Sequence, residues 1–393
     1  MNTVSFREAN DLMLEAAVPL PGEDIDLVSA LGRVLAQDVV SDVDMPPFDK
    51  SAMDGYACRR ADLAASLTVV EEIPAGRMPG LPVGPRQCAR IMTGAPVPDG
   101  ADCVVMVEQT ETLPDGRIRM TNIKTADNIC RKAEDIHSGE CVLGQGEIIT
   151  PAQMAVLASV GCVRPRVACR PRVTVLVTGN ELVEPDGLPV GARIRNSNGT
   201  QLCAHLQQMG VVPQYGGIVE DTRDAIDQAV KKAMPKSDLI LLSGGVSAGV
   251  YDLVPESLRQ NGFEFLFERV DMQPGRPTLF GRCGSLYCCG LPGNPVATFV
   301  VFELLLKPFL YRLMGHDSLP HLVEAVLFRD VSCKAGRKQV TIPVRFTQSG
   351  VVEPLEYHGS AHINAMTRAQ ALLTFPMGQD TLRAGATVYV RPI

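Results

Sequence analysis

The sequence lacks an excess of basic residues and a long apolar segment. Among 393 residues, 37 Lys and Arg oppose 44 Asp and Glu, so the net charge is −7, whereas nucleic-acid binding needs a concentrated cationic surface. The most apolar helix candidate, residues 296–310, is interrupted by Glu303 and Lys307 and is shorter than the about 20 apolar residues that cross a bilayer. The charged first residues do not resemble a signal peptide. We therefore expect a cytoplasmic protein that binds neither nucleic acid nor a membrane.

Metal-binding and disulfide patterns are also missing. The twelve cysteines form no CxxC pair, which favours reduced thiols over a disulfide framework or a zinc site. The six histidines show no metal-ligand spacing, and we interpret them as structural. With 46% hydrophobic and 21% charged residues, the composition is that of a folded chain.

The pattern of apolar residues and turns changes several times within the first 160 residues. Apolar residues at three- and four-residue spacing predict a helix over 5–18, and a second short helix is expected near 27–36. Short apolar runs separated by Gly and Pro turns over 67–150 indicate a small β-rich domain. A helix over 150–161 is expected to begin at Thr150 as N-cap, with Pro in its first turn.

From about residue 170, strands and helices alternate. Apolar runs predict strands within 173–181, 211–221, 238–247 and 285–295, and intervening patterns predict helices within 196–210, 222–234 and 296–310. Such alternation is typical of a parallel sheet covered by helices on both faces. Beyond residue 318 the short runs indicate a small closed or sandwiched β domain.

Three polar loops follow strands of this sheet, at 178–182, 243–252 and 290–295. In such sheets, ligands bind beyond the carboxyl ends of the strands, where helix N-termini favour anions. Glycines allow a phosphate to approach the backbone, and serines donate hydrogen bonds; the residues concerned are Gly244, Gly245, Gly293, Ser243 and Ser247. We expect a small ligand that contains phosphate, although each loop alone is also compatible with an ordinary turn.

Loop carboxylates and cations complete the pattern. The carboxylates are Asp54, Asp135, Glu181, Asp221 and Asp252, and carboxylates that converge near a phosphate suit Mg²⁺. Taken singly, each is equally compatible with a solvated or capping side chain, and Asp221 in particular with a cap of the helix near Thr222. Arg276 lies between two prolines and is a candidate for binding an oxyanion. Arg131 and Lys132 either serve the same purpose or balance nearby acids.

These motifs, in this order, resemble the MoeA family, the molybdopterin molybdenumtransferases related to the gephyrin E domain. The matching strings span essentially the whole chain: FDKSAMDGYA (48–57), RIMTGAPVP (90–98), RKAEDI (131–136), TGNEL (178–182), SGGVSAGVYD (243–252), QPGRP (273–277), GLPGNPV (290–296) and HGSAHI (358–363).

The resemblance implies a multidomain fold of α/β and β domains. It predicts an elongated N-terminal region from 1–44 and 137–165, an inserted small β domain at 45–136, a parallel α/β molybdopterin-binding-like domain at 166–317, and a C-terminal small β domain at 318–393. It also implies a head-to-tail homodimer, with each active site between the α/β domain of one chain and the inserted domain of the other.

The implied reaction inserts molybdate into adenylylated molybdopterin and releases AMP with the help of Mg²⁺. A molybdopterin adenylyltransferase would supply the substrate, and a molybdoenzyme or cofactor chaperone would accept the product. By motif position, the implied catalytic residues are Asp54, Thr93, Asp135, Glu181 and Asp252, and all of these except Thr93 are implied metal ligands. The implied residues that bind the substrate are Asp221, Ser243, Gly244, Gly245, Arg276, Pro292, Asn294 and Ser360, and Arg337 is a further candidate for the oxyanion.

The chain departs from the family pattern at several positions. Gln273 and Arg276 stand where many relatives have lysines, so one cation is lost, because glutamine carries no charge. Ala297, Cys130 and Asn180 replace Ser, Arg and Asp, respectively. Two other functions remain alternatives: a molybdopterin adenylyltransferase, which the additional domains disfavour, and a non-catalytic dimeric scaffold, which the retained carboxylates disfavour.

Overall fold

A computed structural model of the chain describes residues 2–246, 253–317, 321–333, 336, 338–356 and 359–393. Its fold joins β-rich regions to a mixed α/β domain. The boundaries between the four domains stay predictions. None of the described helices combines the length and the apolar character needed to span a bilayer.

The α/β domain is built on a six-stranded sheet. In chain order its strands are β1 (Val173–Thr178), β2 (Pro213–Val219), β3 (Leu239–Ser243), β4 (Glu264–Phe267), β5 (Leu279–Cys283) and β6 (Leu286–Leu291). Its helices are α1 (Ser197–Gln208), α2 (Arg223–Ala233), α3 (Val254–Gln260), α4 (Pro295–Val301) and α5 (Lys307–Leu313). The strand order is β2-β1-β3-β6-β5-β4, and buried side chains fill the space on both faces.

The predicted parallel sheet forms, but its edge at β5 and β4 is antiparallel. Strands β2, β1, β3 and β6 are parallel, but β5 is antiparallel to β6, and β4 is antiparallel to β5. The turn at Gly284, where φ is +60°, connects β5 directly to β6, and so short a connection requires antiparallel strands. The predicted strand near 285–295 is therefore the second half of a hairpin.

Local capping explains where the helices around the sheet begin. The side chain of Asn196 accepts a hydrogen bond from the N–H of Gly199 at 2.9 Å and caps α1. Thr222, not Asp221, caps α2 by accepting from the N–H of Ala225. The capping interpretation of Asp221 is thus wrong, which leaves its carboxylate available for another role.

The predicted helix over 296–310 forms, but its centre is a π-helical segment at Phe302–Leu306 between α4 and α5. Glu303 lies in this π-helical segment and is buried in the core, where the residue is 2% exposed. Its carboxylate accepts a hydrogen bond from Lys307 at 2.8 Å. Sequence periodicity does not distinguish a π-helical turn from an α-helical one, so the prediction missed it.

The inserted region forms a six-stranded sheet, as expected for a β-rich domain. Its order is Cys103–Met106, Gly55–Cys58, Gln87–Ile91, Ser66–Ile73, Ile118–Met120 and Thr110–Thr112. The short strand Lys50–Ser51 pairs separately with Ile129–Cys130.

The N-terminal region combines two helices with short strand pairs. Helix Phe6–Ala16 begins at the predicted place with Ser5 as its cap, and helix Pro151–Ser159 has the predicted Thr150 cap. The strand pairs are Gly22–Asp24 with Arg166–Ala168 and Val39–Val40 with Cys141–Leu143.

The prediction of a helix near 27–36 is wrong. Only a 3₁₀ turn forms, at Leu27–Ser29. Gly32 adopts a left-handed conformation with φ of +73°, and this conformation ends a helix. Beyond it, Val34 and Leu35 enter extended bridges with Ile148 and Val167.

The C-terminal region is a small closed barrel, which is one of the two forms that the sequence predicted. Its five strands pair in the order Gln339–Gln348, Val351–Pro354, Val323–Leu327, Thr387–Pro392 and Ala371–Thr374, and the first also pairs with the last. A separate pair, Val331–Ser332 with Thr381–Leu382, lies outside the barrel. Strand Arg269–Gln273 pairs with the start of strand Gln339–Gln348 and also with Thr3–Ser5. Because Arg269–Gln273 lies between β4 and β5 in the chain, this pairing ties the barrel to the α/β domain.

Candidate functional site

A cavity of about 440 Å³ lies at the carboxyl ends of β1, β3 and β6. Its walls are the loops that follow these strands, the N-termini of α1 and α4, and the barrel segment around Ala361 and Ile363. Of the predicted site residues, it brings together Glu181, Asp221, Ser243, Gly244, Gly245, Pro292 and Asn294.

A buried hydrogen-bond network forms the floor of the cavity. The amide nitrogen of Asn198 donates to the hydroxyl of Ser243 and to the carbonyl oxygen of Gly293, each at 2.8 Å. Ser243 in turn donates to the carbonyl oxygen of Pro292 at 3.3 Å. Because buried polar groups are costly to leave unpaired, this network fixes the loops after β3 and β6 relative to α1.

Gly244 allows the loop after β3 to approach β1 closely. Its φ is +95°, and a Cβ atom at this position would lie 2.3 Å from the carbonyl oxygen of Thr178. Both the left-handed backbone and the close approach require glycine. The packing therefore explains why glycine is needed at 244, while its predicted approach to a phosphate stays a prediction.

The barrel contributes directly to the mouth of the cavity. Asn294 donates from its side chain to the hydroxyl of Ser360 at 2.8 Å, and the N–H of Val296 donates to the carbonyl oxygen of Ser360 at 2.9 Å. Ser360 thus holds the N-terminus of α4 against the barrel. Arg276 is exposed on the neighbouring turn, and Pro277, not Arg276, lines the cavity.

The acidic side of the cavity contains Glu181 and Asp221. The backbone N–H of Asn180 donates to Oδ2 of Asp221 at 3.3 Å, and the N–H of Asp221 donates to the side-chain oxygen of Asn180 at 3.1 Å. This reciprocal pair fixes the loops after β1 and β2 together. Asparagine at 180 makes these contacts without adding a further negative charge.

Three oxygen atoms around the cavity are buried and have no hydrogen-bond partner among the described residues. They are Oγ1 of Thr178, Oδ1 of Asn198 and Oδ1 of Asp221. Native proteins leave few buried polar atoms unpaired, and those few call for an explanation such as a bound water or ion. Three of them in one cavity indicate a place that a polar ligand, ion or water completes.

Asp54 and Thr93 form a second predicted group, on the inserted β domain. Thr93 donates to Oδ1 of Asp54 from its backbone N–H at 2.6 Å and from its hydroxyl at 2.7 Å. These two hydrogen bonds hold the pKa of Asp54 below its ordinary value. The carboxylate therefore stays ionised and keeps Oδ2 for a further interaction.

The cations near Asp135 are paired with acids. Arg131 bonds to Asp49 at 2.8 Å, and Lys132 lies 3.1 Å from Asp44. The structure thus supports the interpretation that these two charges balance nearby carboxylates. Asp135 itself is exposed, and its N–H donates to the carbonyl oxygen of Met45.

The two groups do not meet within one chain. The described lining of the cavity contains no residue of 45–136, and no cluster of three or more His, Cys, Asp or Glu suitable for a metal occurs in the described ranges. Asp252, Ser247 and Arg337 lie outside the described residues, so their predicted roles stay predictions.

The polar or charged lining residues that sequence reasoning did not single out include Thr178, Arg195 and Asn198. Thr178 ends a strand that we recognised, and Asn198 lies in the first turn of a helix that we recognised. Their proximity to the cavity follows from the sheet order, which the sequence does not specify. Arg195 carried no signal beyond its position just before a capping residue.

The remaining departures from the family pattern have simple surroundings. Gln273 is exposed at the end of a strand, Ala297 is buried in α4, and Cys130 pairs with the strand that contains Lys50.

Comparisons with known proteins cover nearly the whole chain. Family models match residues 4–161 (MoeA N-terminal region, domain I and II), 174–312 (probable molybdopterin binding domain) and 324–393 (MoeA C-terminal region, domain IV). Molybdopterin molybdenumtransferase from Staphylococcus aureus is 34% identical over 401 aligned residues, covering 98% of this chain and 95% of that protein. The protein of the same name from Staphylococcus epidermidis is likewise 34% identical, with the same coverage.

Solved structures agree. The molybdopterin biosynthesis MoeA protein from Pyrococcus horikoshii OT3 superimposes with a TM-score of 0.87 and 28% identity over 100% of both chains. A second crystal structure of a Pyrococcus MoeA protein gives a TM-score of 0.80 and 27% identity over 99% of both chains. Full-length similarity in sequence and in structure places this chain in the MoeA family of molybdopterin molybdenumtransferases.

Proposed function

We propose that the protein inserts molybdate into adenylylated molybdopterin and releases AMP, in a reaction that requires Mg²⁺. The observation that carries the proposal is the cavity at the carboxyl ends of the sheet, with its unpaired buried oxygens and with helix N-termini at its wall, which favour anions. The substrate combines a pterin, a phosphoanhydride and an adenosine, so it needs donors for phosphate and acceptors for N–H groups in one cleft.

The chemistry balances without an external oxidant. Two thiols of the dithiolene bind hydrogen molybdate with loss of one water, and one water cleaves the phosphoanhydride bond to give AMP and the phosphate monoester of the cofactor. The task of the chain is to position these groups and to stabilise the charge that develops during cleavage.

The residues present fit a magnesium ion. Glu181 and Asp221 share the cavity wall, and Oδ1 of Asp221 is buried without a partner. Mg²⁺ usually takes one or two carboxylates and completes its octahedron with waters and substrate phosphates. Glu181 and Asp221 would hold the ion, which when bound neutralises phosphoanhydride oxygens.

We further propose that the active site is shared by two copies of the chain. Asp54, Thr93 and Asp135 belong to the predicted catalytic set, yet they lie on the inserted domain, away from the cavity. In a head-to-tail homodimer, the inserted domain of a second copy would supply them. The Asp54 carboxylate, kept ionised by Thr93, would then act on the metal or on the attacking water.

The matches to the MoeA N- and C-terminal regions favour this function over a free-standing adenylyltransferase. A molybdopterin adenylyltransferase would supply the substrate, and a molybdoenzyme or a cofactor chaperone would take the product.

The test is AMP release from adenylylated molybdopterin by the purified full chain, with Mg²⁺ and with or without molybdate. We expect release that depends on both ions, and a product that activates a cofactor-free molybdoenzyme. Tight binding of the substrate without molybdate-dependent release would contradict the transferase and favour the scaffold.

A further inference from the structure

The lining of the cavity contains more acidic than basic side chains, although the proposed ligand carries negatively charged phosphate. Among its described lining residues, the charged side chains are Glu181, Asp221 and Arg195. Two of these repel a phosphate, and the predicted cation Arg276 lies outside the lining. Arg195 is therefore the cation that the described part of the cavity offers to an anion.

Arg195 is held at the rim by its backbone and by one side-chain bond. It ends the short strand Ile194–Arg195, which pairs in parallel with Leu182–Val183. Its Nε donates to the carbonyl oxygen of Gly187 at 3.1 Å. The terminal nitrogens Nη1 and Nη2 have no partner among the described residues, so the donor pair that suits two phosphate oxygens is available.

The helix that begins after Arg195 adds further donors. Asn196 caps the twelve-residue helix α1 by binding the N–H of Gly199. The N–H groups of Ser197 and Asn198 precede it and have no acceptor within the helix. The first turn contains no acidic residue, so the helix dipole favours an anion at this end.

Two buried side chains beside this helix end are themselves incomplete. Thr178 is 4% exposed and Asn198 is 6% exposed, and both line the cavity. Oγ1 of Thr178 and Oδ1 of Asn198 have no described partner. The orientation of the Asn198 amide is fixed, because its nitrogen donates to the carbonyl oxygen of Gly293. The Asn198 oxygen is therefore left to accept from an N–H group or a water, and the hydroxyl of Thr178, which also has no described partner, can donate to an anion.

We propose that Arg195 binds a phosphate group of the ligand at the N-terminus of α1, together with the hydroxyl of Thr178. The chemical class is a phosphate ester or phosphoanhydride, the group that AMP and adenylylated molybdopterin share. The inference rests on the proposed function for the identity of the ligand, whereas the anion site follows from the side chains. Arg195 acts here as a binding residue that positions the phosphate.

The test compares the binding of AMP, adenosine and inorganic pyrophosphate to the full chain by calorimetry. The variants are Arg195→Gln and Arg195→Lys, with Arg193→Gln as a matched control, because Arg193 is also exposed but does not line the cavity. We expect Arg195→Gln to weaken AMP and pyrophosphate binding at least about tenfold, since it removes charge-assisted hydrogen bonds. Arg195→Lys should lose less, and Arg193→Gln less than about twofold.

The dependence on salt gives an independent measurement for variants that fold. The affinity of the wild type for pyrophosphate should fall more steeply with ionic strength than that of Arg195→Gln, because an ion pair is screened by salt. Equal affinities and equal slopes for the two proteins would overturn the proposal. A wild type that binds neither AMP nor pyrophosphate would overturn it as well.

The same proteins separate this inference from the proposed function. Molybdate-dependent AMP release by the wild type, combined with normal AMP binding by Arg195→Gln, leaves the transferase intact and removes Arg195 from the site. Weak phosphate binding by Arg195→Gln, combined with a wild type that releases no AMP, leaves the anion site intact and contradicts the transferase.

Discussion

His205 makes the stability of the α/β domain depend on pH in a predictable direction. Its ring lies in the core on α1, stacked on Phe302 with ring centroids 4.4 Å apart and edge-on to Phe299. Its Nδ1 is 3.5 Å from the Glu303 carboxylate, and its Nε2 has no described hydrogen-bond partner. Burial lowers the pKa of His205 from 6.5 to about 4, although Glu303 acts in the opposite direction.

The charges around His205 explain why burial prevails. Glu303 already accepts a hydrogen bond from Lys307, and Lys307 lowers the pKa of His205 further. The Glu303 charge also acts on two other groups. Burial lowers the pKa of Arg391 in the barrel and Glu303 partly opposes this, whereas burial and then Glu303 raise the pKa of Tyr311. The carboxylate is thus shared among several groups, and it only partly compensates for the burial of an imidazolium.

The sign and size of the effect follow from this lowered pKa. Below pH 6.5 the unfolded chain binds a proton that folded His205 takes up only near pH 4. The free energy of unfolding therefore falls as the pH decreases from about 6.5 to 4, and its contribution is fully present above 6.5. The whole interval corresponds to roughly 3 kcal/mol, and the loss at pH 5 to roughly 2 kcal/mol.

Urea unfolding monitored by circular dichroism at pH 7.5, 6 and 5 measures this contribution. The comparison is the wild type against His205→Phe, which keeps an aromatic ring but cannot titrate, so the effects of other carboxylates cancel. We expect the wild type to lose about 2 kcal/mol relative to the variant between pH 7.5 and 5. Replacing the exposed His321 by Gln should leave the profile unchanged. A wild type that gains stability relative to His205→Phe at low pH would show that the Glu303 ion pair prevails, contrary to this reasoning.

Two further predictions concern the site. Thr93→Val removes the hydroxyl that donates to Asp54, so the pKa of Asp54 should rise. The acidic limb of the pH profile of kcat/KM should then move to higher pH, with about tenfold lower activity. An unchanged acidic limb would exclude Asp54 as its origin. Gly244→Ala forces a Cβ against the carbonyl oxygen of Thr178 and should cost more than about 2 kcal/mol of unfolding free energy. The control Gly284→Ala also has a positive φ but meets open space, so denaturant unfolding should show a loss of about 1 kcal/mol, and equal losses would refute the close-approach argument.

Local signals predicted the elements that depend on local chemistry. The helix after Thr150 forms because its capping box and its first-turn proline lie within a few residues of each other. The helix near 27–36 failed for a local reason as well: Gly32 ends the turn, and the chain beyond it pairs with distant strands. Hydrophobic spacing alone does not reveal such competition from tertiary pairing.

The residues of the candidate site also fall into those that local sequence signals identify and those that only the tertiary structure reveals. Glycines and acidic loop residues gave strong sequence signals because the backbone conformation or the charge makes them conspicuous. Arg195 gave none, and Thr178 gave only its place at the start of the polar loop 178–182, because their role depends on which strands are neighbours in the sheet. The separation of Asp54 from Glu181 is likewise a matter of three-dimensional arrangement, and the head-to-tail homodimer that the resemblance implies is the proposed way to join them.

The central claim is that each active site combines the cavity of one chain with Asp54 of another, and mixed dimers test it most directly. Asp54→Ala and Glu181→Ala should each abolish molybdate-dependent AMP release, with the dimer intact. After the two variants are mixed and allowed to exchange subunits, half of the dimers are hybrids, and each hybrid contains one site with both carboxylates. The account predicts recovery of about a quarter of the wild-type activity. No recovery in verified hybrid dimers would show that Asp54 and Glu181 do not serve one shared site.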